Sequence, residues 1–189
     1  MTRVIGGSAG GRRLAVPPGE GTRPTSDRAR EGLFSTLVSL RRSLSGARVL
    51  DLFAGSGAVG LEALSRGAAH ALLVESDAAA AKAVRANIAD LKLPGAELRI
   101  ARAERVAAEQ APPEAYDIVF LDPPYQLPGA DVAALLTALA AGGWLAAEAL
   151  VAVERATRGG AFEWPAGFEE IRSRRYGEAT LWYGRAARS

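Results

Sequence analysis

Between residues 47 and 154 the chain alternates short apolar runs with helix-forming segments, and this alternation limits the fold more than any other feature. Continuous apolar runs are typical of strands buried on both faces, and strands that alternate with helices form βαβ units around a parallel sheet. We therefore predict an α/β fold. The expected strands cover residues 48–52, 71–75, 97–101, 116–121 and 150–154, and the expected helices lie near 57–66, 78–92, 104–109 and 130–141.

The C-terminal part of the chain breaks this alternation. Residues 168–184, FEEIRSRRYGEATLWYG, have the pattern of two strands joined at a Gly177-Glu178 turn, with no crossover helix between them. Such a hairpin adds antiparallel strands to one side of the sheet. The complete sheet is thus predicted to be mostly parallel and seven-stranded, with an antiparallel C-terminal hairpin.

The N-terminus predicts a second, smaller hairpin. Two short extended stretches, residues 3–5 and 12–16, flank a glycine-rich run. We expect residues 1–20 to form this β-hairpin extension and residues 21–189 to form the main domain, which includes an amphipathic helix at about residues 26–42.

An acidic side chain lies at or just after the carboxyl end of each of the first four predicted strands. These residues are Asp51, Glu75, Glu104 and Asp122. In an open parallel sheet, ligands bind beyond the carboxyl ends of the strands, near the point where the strand order reverses. The sequence therefore predicts a ligand site with an acidic rim at this edge.

The stretch DLFAGSGAVG, residues 51–60, contains the G-x-G-x-x-G pattern of dinucleotide-binding proteins. Asp51 argues against a dinucleotide, because an aspartate before the loop repels a pyrophosphate. The same carboxylate attracts a ligand with a sulfonium and an ammonium group, and S-adenosylmethionine has both. Glu75 fits either ligand, since a carboxylate there can bind the ribose hydroxyls of any adenosine. The predicted cofactor is S-adenosylmethionine.

Asp122-Pro-Pro-Tyr125 gives the sharper indication of chemistry. The amino group of a nucleobase is a poor nucleophile, because its lone pair is delocalised into the ring. The Asp122 carboxylate and the Pro123 carbonyl could accept the two amino hydrogens and stabilise the positive charge that develops on nitrogen. Two prolines stiffen the turn, and the ring of Tyr125 offers a stacking surface for an extruded base. The motif indicates methyl transfer to a nucleobase amine.

Charge is distributed unevenly along the chain. The net charge is +2, yet residues 1–48 contain nine arginines and three acidic residues, so this part carries +6 and the remainder −4. A basic end of this kind indicates a surface for a polyanion. The candidate residues of this surface are Arg3, Arg12, Arg13, Arg28 and Arg30.

Composition excludes two other classes of protein. The chain has no cysteine and a single histidine, so a transition-metal site is not expected. Residues 133–153 carry one charge, but nine alanines and Gly142-Gly143 within this run favour a buried helix, a turn and a strand over a membrane span. The N-terminus lacks the apolar core of a signal peptide, so we expect a cytoplasmic protein.

Three motifs together resemble the bacterial RsmD family of 16S ribosomal RNA guanine-N2 methyltransferases: VLDLFAGSG at residues 49–57, DPPY at residues 122–125 and RPTSDR at residues 23–28. The resemblance runs over essentially the whole chain. It implies a class I, Rossmann-like methyltransferase fold and an RNA-contacting N-terminal hairpin, so the polyanion expected at the basic residues 3, 12, 13, 28 and 30 would be RNA. The implied reaction is methylation of N2 of guanine 966, within the small ribosomal subunit or a late assembly particle. The expected enzyme is a monomer that needs no metal and no membrane.

The resemblance also assigns roles to single residues. The catalytic residues would be Asp122, Pro123 and Tyr125. The cofactor would be bound by Arg23, Thr25, Asp51, Phe53, Ala54, Gly55, Ser56, Gly57, Glu75, Ser76, Ala103, Glu104 and Asp122. Among these, the segment from Arg23 to Thr25 would close over the cofactor. After the third strand, the family commonly has an aspartate-containing pair, and this chain has Ala103-Glu104 instead. The chain therefore departs from the family pattern at the residues assigned to adenine.

Three other functions are compatible with parts of the sequence. An adenine-N6 methyltransferase acting on DNA or RNA uses the same Asp-Pro-Pro-Tyr motif, although this chain has no inserted target-recognition domain. A nicotinamide-dependent oxidoreductase would use the glycine loop. A non-enzymatic RNA-binding module would need no intact cofactor rim, and this chain has one.

Overall fold

The computed structural model describes residues 2–18 and 26–188. Its helices are α1 (Asp27–Arg41), α2 (Ala58–Ser65), α3 (Ala78–Leu91), α4 (Ala103–Ala107) and α5 (Gly129–Ala141). Its strands are β1 (Arg48–Asp51), β2 (His70–Glu75), β3 (Ala96–Ile100), β4 (Tyr116–Leu121), β5 (Leu145–Ala156), β6 (Phe168–Tyr176) and β7 (Ala179–Ala186). One turn of 3-10 helix, Thr157–Gly159, follows β5.

The seven strands form one sheet in the order β3-β2-β1-β4-β5-β7-β6. Strands β1 to β5 pair in parallel, whereas β7 pairs antiparallel with both β5 and β6. The chain therefore leaves β3 at one edge and returns to the centre at β4, which makes β1 and β4 the point where the strand order reverses. The predicted α/β fold with an antiparallel C-terminal hairpin is confirmed.

Strand β5 is longer than the expected strand 150–154. It begins at Leu145, which pairs with Tyr116, and its register then shifts so that Leu150 pairs with Ile118. Within the shifted part, Glu148 has a positive φ of 60°, a conformation that side chains other than glycine rarely adopt. Hydropathy alone could not reveal this first segment, because its strand character comes from pairing with β4.

Each face of the sheet is covered by a separate apolar layer. On one face, residues such as Leu73 and Phe120 pack with α1, α2, α3 and the N-terminal hairpin. On the other face, residues such as Leu121 and Val151 pack with α4 and α5. Helices on both faces explain why the central strands read as unbroken apolar runs. Within the described ranges, no helix is both long enough and apolar enough to cross a membrane.

The N-terminal hairpin is held firmly against helix α2. The amides of Ile5 and Gly6 donate to the two carboxylate oxygens of Glu62, at 2.8 and 2.9 Å, and the amide of Ala9 donates to the Ser65 hydroxyl. The hairpin also reaches helix α3, where Asn87 exchanges two hydrogen bonds with the backbone of Ala15. The extension therefore packs as part of the domain surface. The expected division at residue 20 falls outside the described residues and stays a prediction.

Candidate active site

A cavity of about 1520 Å³ opens at the carboxyl edge of the sheet. Its wall is built from the ends of β1, β2, β4 and β5, from the start of α4 and from the N-terminal hairpin through Thr2, Val16 and Pro17. This is the edge at which the acidic rim was expected. The volume exceeds that of a typical small-molecule pocket, so the cavity can hold a cofactor together with part of a second molecule.

The glycine loop forms the floor of this cavity between β1 and α2. The amide of Ala54 donates to the carbonyl of Val74, which ties the loop to the neighbouring strand. Gly55 has φ +59° with no atom within 4 Å of the position a Cβ would take, so its backbone is open to a ligand. At Gly60 a Cβ would lie 2.3 Å from the Leu73 side chain. The third glycine of the motif therefore serves close helix-strand packing rather than ligand binding.

Asp51 lies beneath the loop with 1% of its surface exposed. One carboxylate oxygen, Oδ2, accepts a hydrogen bond from the Gly60 amide at 3.2 Å. The other, Oδ1, is buried, and no described residue donates to it. Burial raises the pKa of Asp51 to about 7, the Gly60 hydrogen bond opposes this rise, and the nearby Glu75 carboxylate adds to it. A buried carboxylate oxygen in this state favours a bound cation.

Glu75 connects the end of β2 to the glycine loop. Its Oε1 accepts from the Gly55 amide at 2.8 Å, and its Oε2 accepts from the Asp77 amide at 2.8 Å. These two bonds fix the orientation of a half-buried carboxylate at the cavity wall. Each oxygen keeps a second lone pair, so both can accept further hydrogen bonds from a diol.

The Asp122-Pro-Pro-Tyr125 segment follows β4 and lines the cavity. Pro123 is buried, whereas Asp122 and Tyr125 are half-buried and line the cavity wall. The amide of Leu127 donates to the carbonyl of Pro124 at 3.0 Å and closes a turn over residues 124–127, which begins within the motif. Neither proline has an N–H group, so the turn offers acceptors without competing donors.

Arg155, which the sequence analysis did not single out, supports this turn. Its Nη2 donates to the Leu127 carbonyl at 2.6 Å, and its Nη1 lies 3.5 Å from the Pro124 carbonyl. Burial lowers the pKa of Arg155, and the charges of Asp122 and Tyr125 act in the opposite direction. The guanidinium thus lies close enough to the motif to influence it. No pattern in the sequence predicts this contact, because it depends on how the turn folds back over β5.

Glu154 is a second cavity residue that the sequence analysis missed. It precedes Arg155 in β5, is 5% exposed, and lines the same cavity as Asp122. The rule that ligand-binding residues follow parallel strands would have found it, because Glu154 ends the fifth predicted strand just as Asp122 follows the fourth.

Most of the residues assigned from the resemblance lie at the cavity. The lining includes Asp51, Phe53, Ala54, Gly55, Ser56, Glu75, Ser76, Ala103, Glu104, Asp122, Pro123 and Tyr125. Gly57 is not part of the cavity lining. It has φ +86°, and a Cβ there would approach the side chains of Leu61 and Val84, so this glycine allows the loop to turn and pack against α2 and α3. Arg23 and Thr25 lie outside the described residues.

The predicted RNA-binding arginines separate into two groups. Arg3, Arg13 and Arg28 are exposed, and Arg12 is an exposed residue that pairs with Asp90 at 3.2 Å. Arg3 and Arg13 face each other across the hairpin bridge. Like charges placed side by side cost stability, and a bound anion would relieve that cost. The same hairpin lines the cavity through Thr2, Val16 and Pro17, so these arginines lie on a segment that reaches the site.

The assignment of Arg30 to RNA is wrong. Its side chain is fully buried, its Nε pairs with Glu62 at 3.4 Å, and its Nη2 donates to the carbonyl of Arg3. A residue without exposed surface cannot reach a polyanion, so Arg30 links α1, α2 and the hairpin. Its burial follows from the position of Glu62, 32 residues further along the chain, which no local pattern indicates.

In the part of the chain that the structure describes, no three His, Asp or Glu side chains are grouped closely enough to hold a metal ion. The single histidine, His70, lies near Tyr116 and Glu97, at 3.2 and 3.5 Å, and is absent from the cavity wall.

Comparisons with known proteins place the chain in a family. The model of a family described as "Conserved hypothetical protein 95" matches residues 2–185. The chain is 43% identical over 158 residues to ribosomal RNA small subunit methyltransferase D of Escherichia coli K12, an alignment that covers 84% of this chain and 76% of the relative. It is 36% identical over 154 residues to the protein of the same name from Haemophilus influenzae, covering 80% and 77%. The solved structure of the Escherichia coli protein yhhF aligns with a TM-score of 0.85 and 38% identity, covering 100% of this chain and 99% of that one.

Proposed function

The chain belongs to the family described as conserved hypothetical protein 95, and on that premise we propose that it transfers a methyl group from S-adenosylmethionine to small-subunit ribosomal RNA. The observation that carries the proposal is the meeting of two motifs at one cavity. Asp51, Gly55 and Glu75 form one side of it, and the Asp122-to-Tyr125 turn forms the other.

The residues of the first side fit S-adenosylmethionine. The buried Oδ1 of Asp51 suits the positively charged methionine end, the open backbone of Gly55 allows close approach, and the oriented carboxylate of Glu75 suits the ribose hydroxyls. When bound, this cofactor supplies an activated methyl group on a sulfonium. Ala103 and Glu104 at the start of α4 would contact the adenine.

The residues of the second side fit the amino group that receives the methyl. The Asp122 carboxylate and the Pro123 carbonyl would accept the two amino hydrogens and direct the nitrogen lone pair into the cavity. After transfer, the proton lost by the nitrogen would pass to the Asp122 carboxylate. Tyr125 would stack on the extruded base, and its half-buried position lets the ring form part of the cavity wall.

We further propose guanine N2 as the acceptor, at position 966 of 16S RNA, as the resemblance to the RsmD family implies. The exposed arginines of the hairpin support a large RNA substrate, because they place positive charge on a segment that also lines one wall of the cavity. A small subunit or a late assembly particle would present the target base, and the enzyme would act as a monomer in the cytoplasm.

The identity of the methylated product tests this function. Purified protein would be incubated with methyl-labelled S-adenosylmethionine and small ribosomal subunits from cells that lack the enzyme, and the RNA would be digested to nucleosides. We expect label in N2-methylguanosine alone. Label in N6-methyladenosine would support the adenine alternative, and no transfer to any RNA would contradict the proposal. Nicotinamide dinucleotides added in place of the cofactor should show no binding.

A further inference from the structure

We propose that Glu154 selects guanine as the target base by accepting a hydrogen bond from its N1–H group. The inference rests on the proposed function and adds to it, because nothing in the Asp122-to-Tyr125 turn distinguishes a guanine amine from another purine amine. It assigns the choice of base to a side chain on the neighbouring strand.

Strand register places Glu154 beside the turn. Leu121 of β4 pairs with Val153 of β5, and both side chains point into the layer covered by α4 and α5. Asp122 and Glu154 are the next residues along the two chains, and both line the wall of the same cavity. Two neighbouring strands therefore each bring a carboxylate to the wall of one cavity.

Burial gives Glu154 the character of a base-reading group. Its side chain is 5% exposed, and Leu181 of β7 flanks it on the side away from β4. A carboxylate so shielded discriminates strongly between donors and acceptors, because an acceptor placed against it replaces a hydrogen bond with an unfavourable contact between two lone pairs.

The hydrogen-bonding edge of guanine matches two neighbouring carboxylates. Guanine presents N1–H beside its 2-amino group, so one base offers donors to Asp122 and to Glu154 together. Adenine and 2-aminopurine carry a lone pair at N1 instead of a proton. This lone pair would face the Glu154 carboxylate, and two hydrogen-bond acceptors repel each other. A site built to accept from N1–H should reject such bases much more strongly than a site that only orients an amine.

A base analogue isolates this contact. Small subunits would be reconstituted with either guanine or 2-aminopurine at the target position, since both bases carry the 2-amino group but only guanine has N1–H. We expect the unaltered enzyme to prefer guanine by roughly 10- to 100-fold in kcat/KM. Glu154→Gln should bring this ratio to near unity or below, because its amide can donate to an N1 lone pair.

The ratio separates a base-reading role from a structural one. A glutamate that only supports the fold would, when altered, lower the rates for both bases alike, and an unchanged ratio in a folded Glu154→Gln would overturn the inference. Should that variant fail to fold, Glu154→Asp keeps the charge and is expected to keep the preference for guanine at a lower rate; loss of the preference there would contradict the role.

Two controls complete the design. Glu163→Gln makes the same chemical change at an exposed glutamate outside the cavity wall, and should leave both rates unchanged. The unaltered enzyme on guanine subunits tests the proposed function itself. Transfer to guanine without any preference over 2-aminopurine would overturn the role of Glu154 alone, whereas no transfer to guanine would contradict the function.

Discussion

Asp51 combines deep burial with a charge, and burial raises its pKa from 3.8 to about 7 in the ligand-free protein. Because the pKa of Asp51 is higher in the folded than in the unfolded protein, protonation of Asp51 favours the folded state. This contribution to the free energy of unfolding is complete below about pH 4 and is lost as the pH rises to about 7. At neutral pH the carboxylate therefore costs stability. A cation bound at Oδ1 would recover part of that cost, which links cofactor binding to deprotonation.

This linkage predicts a pH dependence of cofactor affinity. Affinity for S-adenosylmethionine should fall as the pH drops below about 7, approaching tenfold per pH unit, because binding to the protonated form first requires loss of a proton. Asp51→Asn should weaken binding at pH 8 and remove this dependence. Isothermal calorimetry between pH 5.5 and 8.5 measures both effects.

Stability provides the control for the same residue. Ligand-free Asp51→Asn should be more stable than the unaltered protein at neutral pH, by up to about 4 kcal/mol, since one pKa unit corresponds to 1.36 kcal/mol. The difference should shrink toward pH 4, where Asp51 is protonated. An Asn variant that binds the cofactor as tightly as the unaltered protein at pH 8 would rule out Asp51 as the cation partner.

At the scale of elements, Glu62 on α2 organises the packing of the N-terminal hairpin. It is fully buried, it accepts hydrogen bonds from Ile5, Gly6 and Arg66, and it pairs with the buried Arg30. Breaking a buried pair by removing one charge costs more than the pair itself contributes, because the remaining charge stays buried and uncompensated.

Glu62→Gln should therefore destabilise the protein by about 3–5 kcal/mol, or roughly 6–20 °C in melting temperature for a chain of this size. Hydrogen exchange should show the largest loss of protection in residues 4–14, whose backbone bonds depend on this contact. Glu31→Gln, at an exposed position of α1, is the matched control and should change neither value. Unchanged protection in the hairpin would mean that Glu62 does not hold it.

At the scale of the whole molecule, the basic hairpin next to the cavity predicts how RNA affinity depends on salt. Each phosphate contact contributes roughly 0.7 to 0.9 to the slope of log affinity against log salt, so replacing Arg3, Arg12 and Arg13 with alanine should flatten that slope by about 2. Melting temperature should change little, since the only ion pair of these three side chains among described residues is the exposed pair with Asp90.

A matched variant separates position from total charge. Lys82, Arg85 and Arg105 are exposed cations on α3 and α4, and replacing them with alanine removes the same charge from other surfaces. That variant should keep the slope of the unaltered protein. An equal flattening in both variants would indicate a general charge effect, and a hairpin variant that loses stability but keeps its slope would mean that the hairpin only packs.

The sequence predicted the site where local pattern and strand topology were sufficient. Asp51, Glu75 and Asp122 were placed at one edge because parallel strands bring their carboxyl ends together, and the structure brings them to one cavity. Arg30 was misjudged because exposure depends on a distant partner, Glu62. Arg155 could not be predicted because its contacts exist only once the turn after β4 has folded back over β5.

Single-turnover methyl transfer by Asp122→Ala shows whether the motif after β4 carries the reaction, because Asp122 is assigned to the target amine. With saturating cofactor and subunits, the rate should fall on the order of 100-fold, the usual effect of removing one preorganised hydrogen-bonding group, while cofactor affinity falls only modestly. Asp131→Ala, which removes an exposed carboxylate from the first turn of α5, should retain the full rate. A rate for Asp122→Ala close to that of the unaltered enzyme would contradict the account.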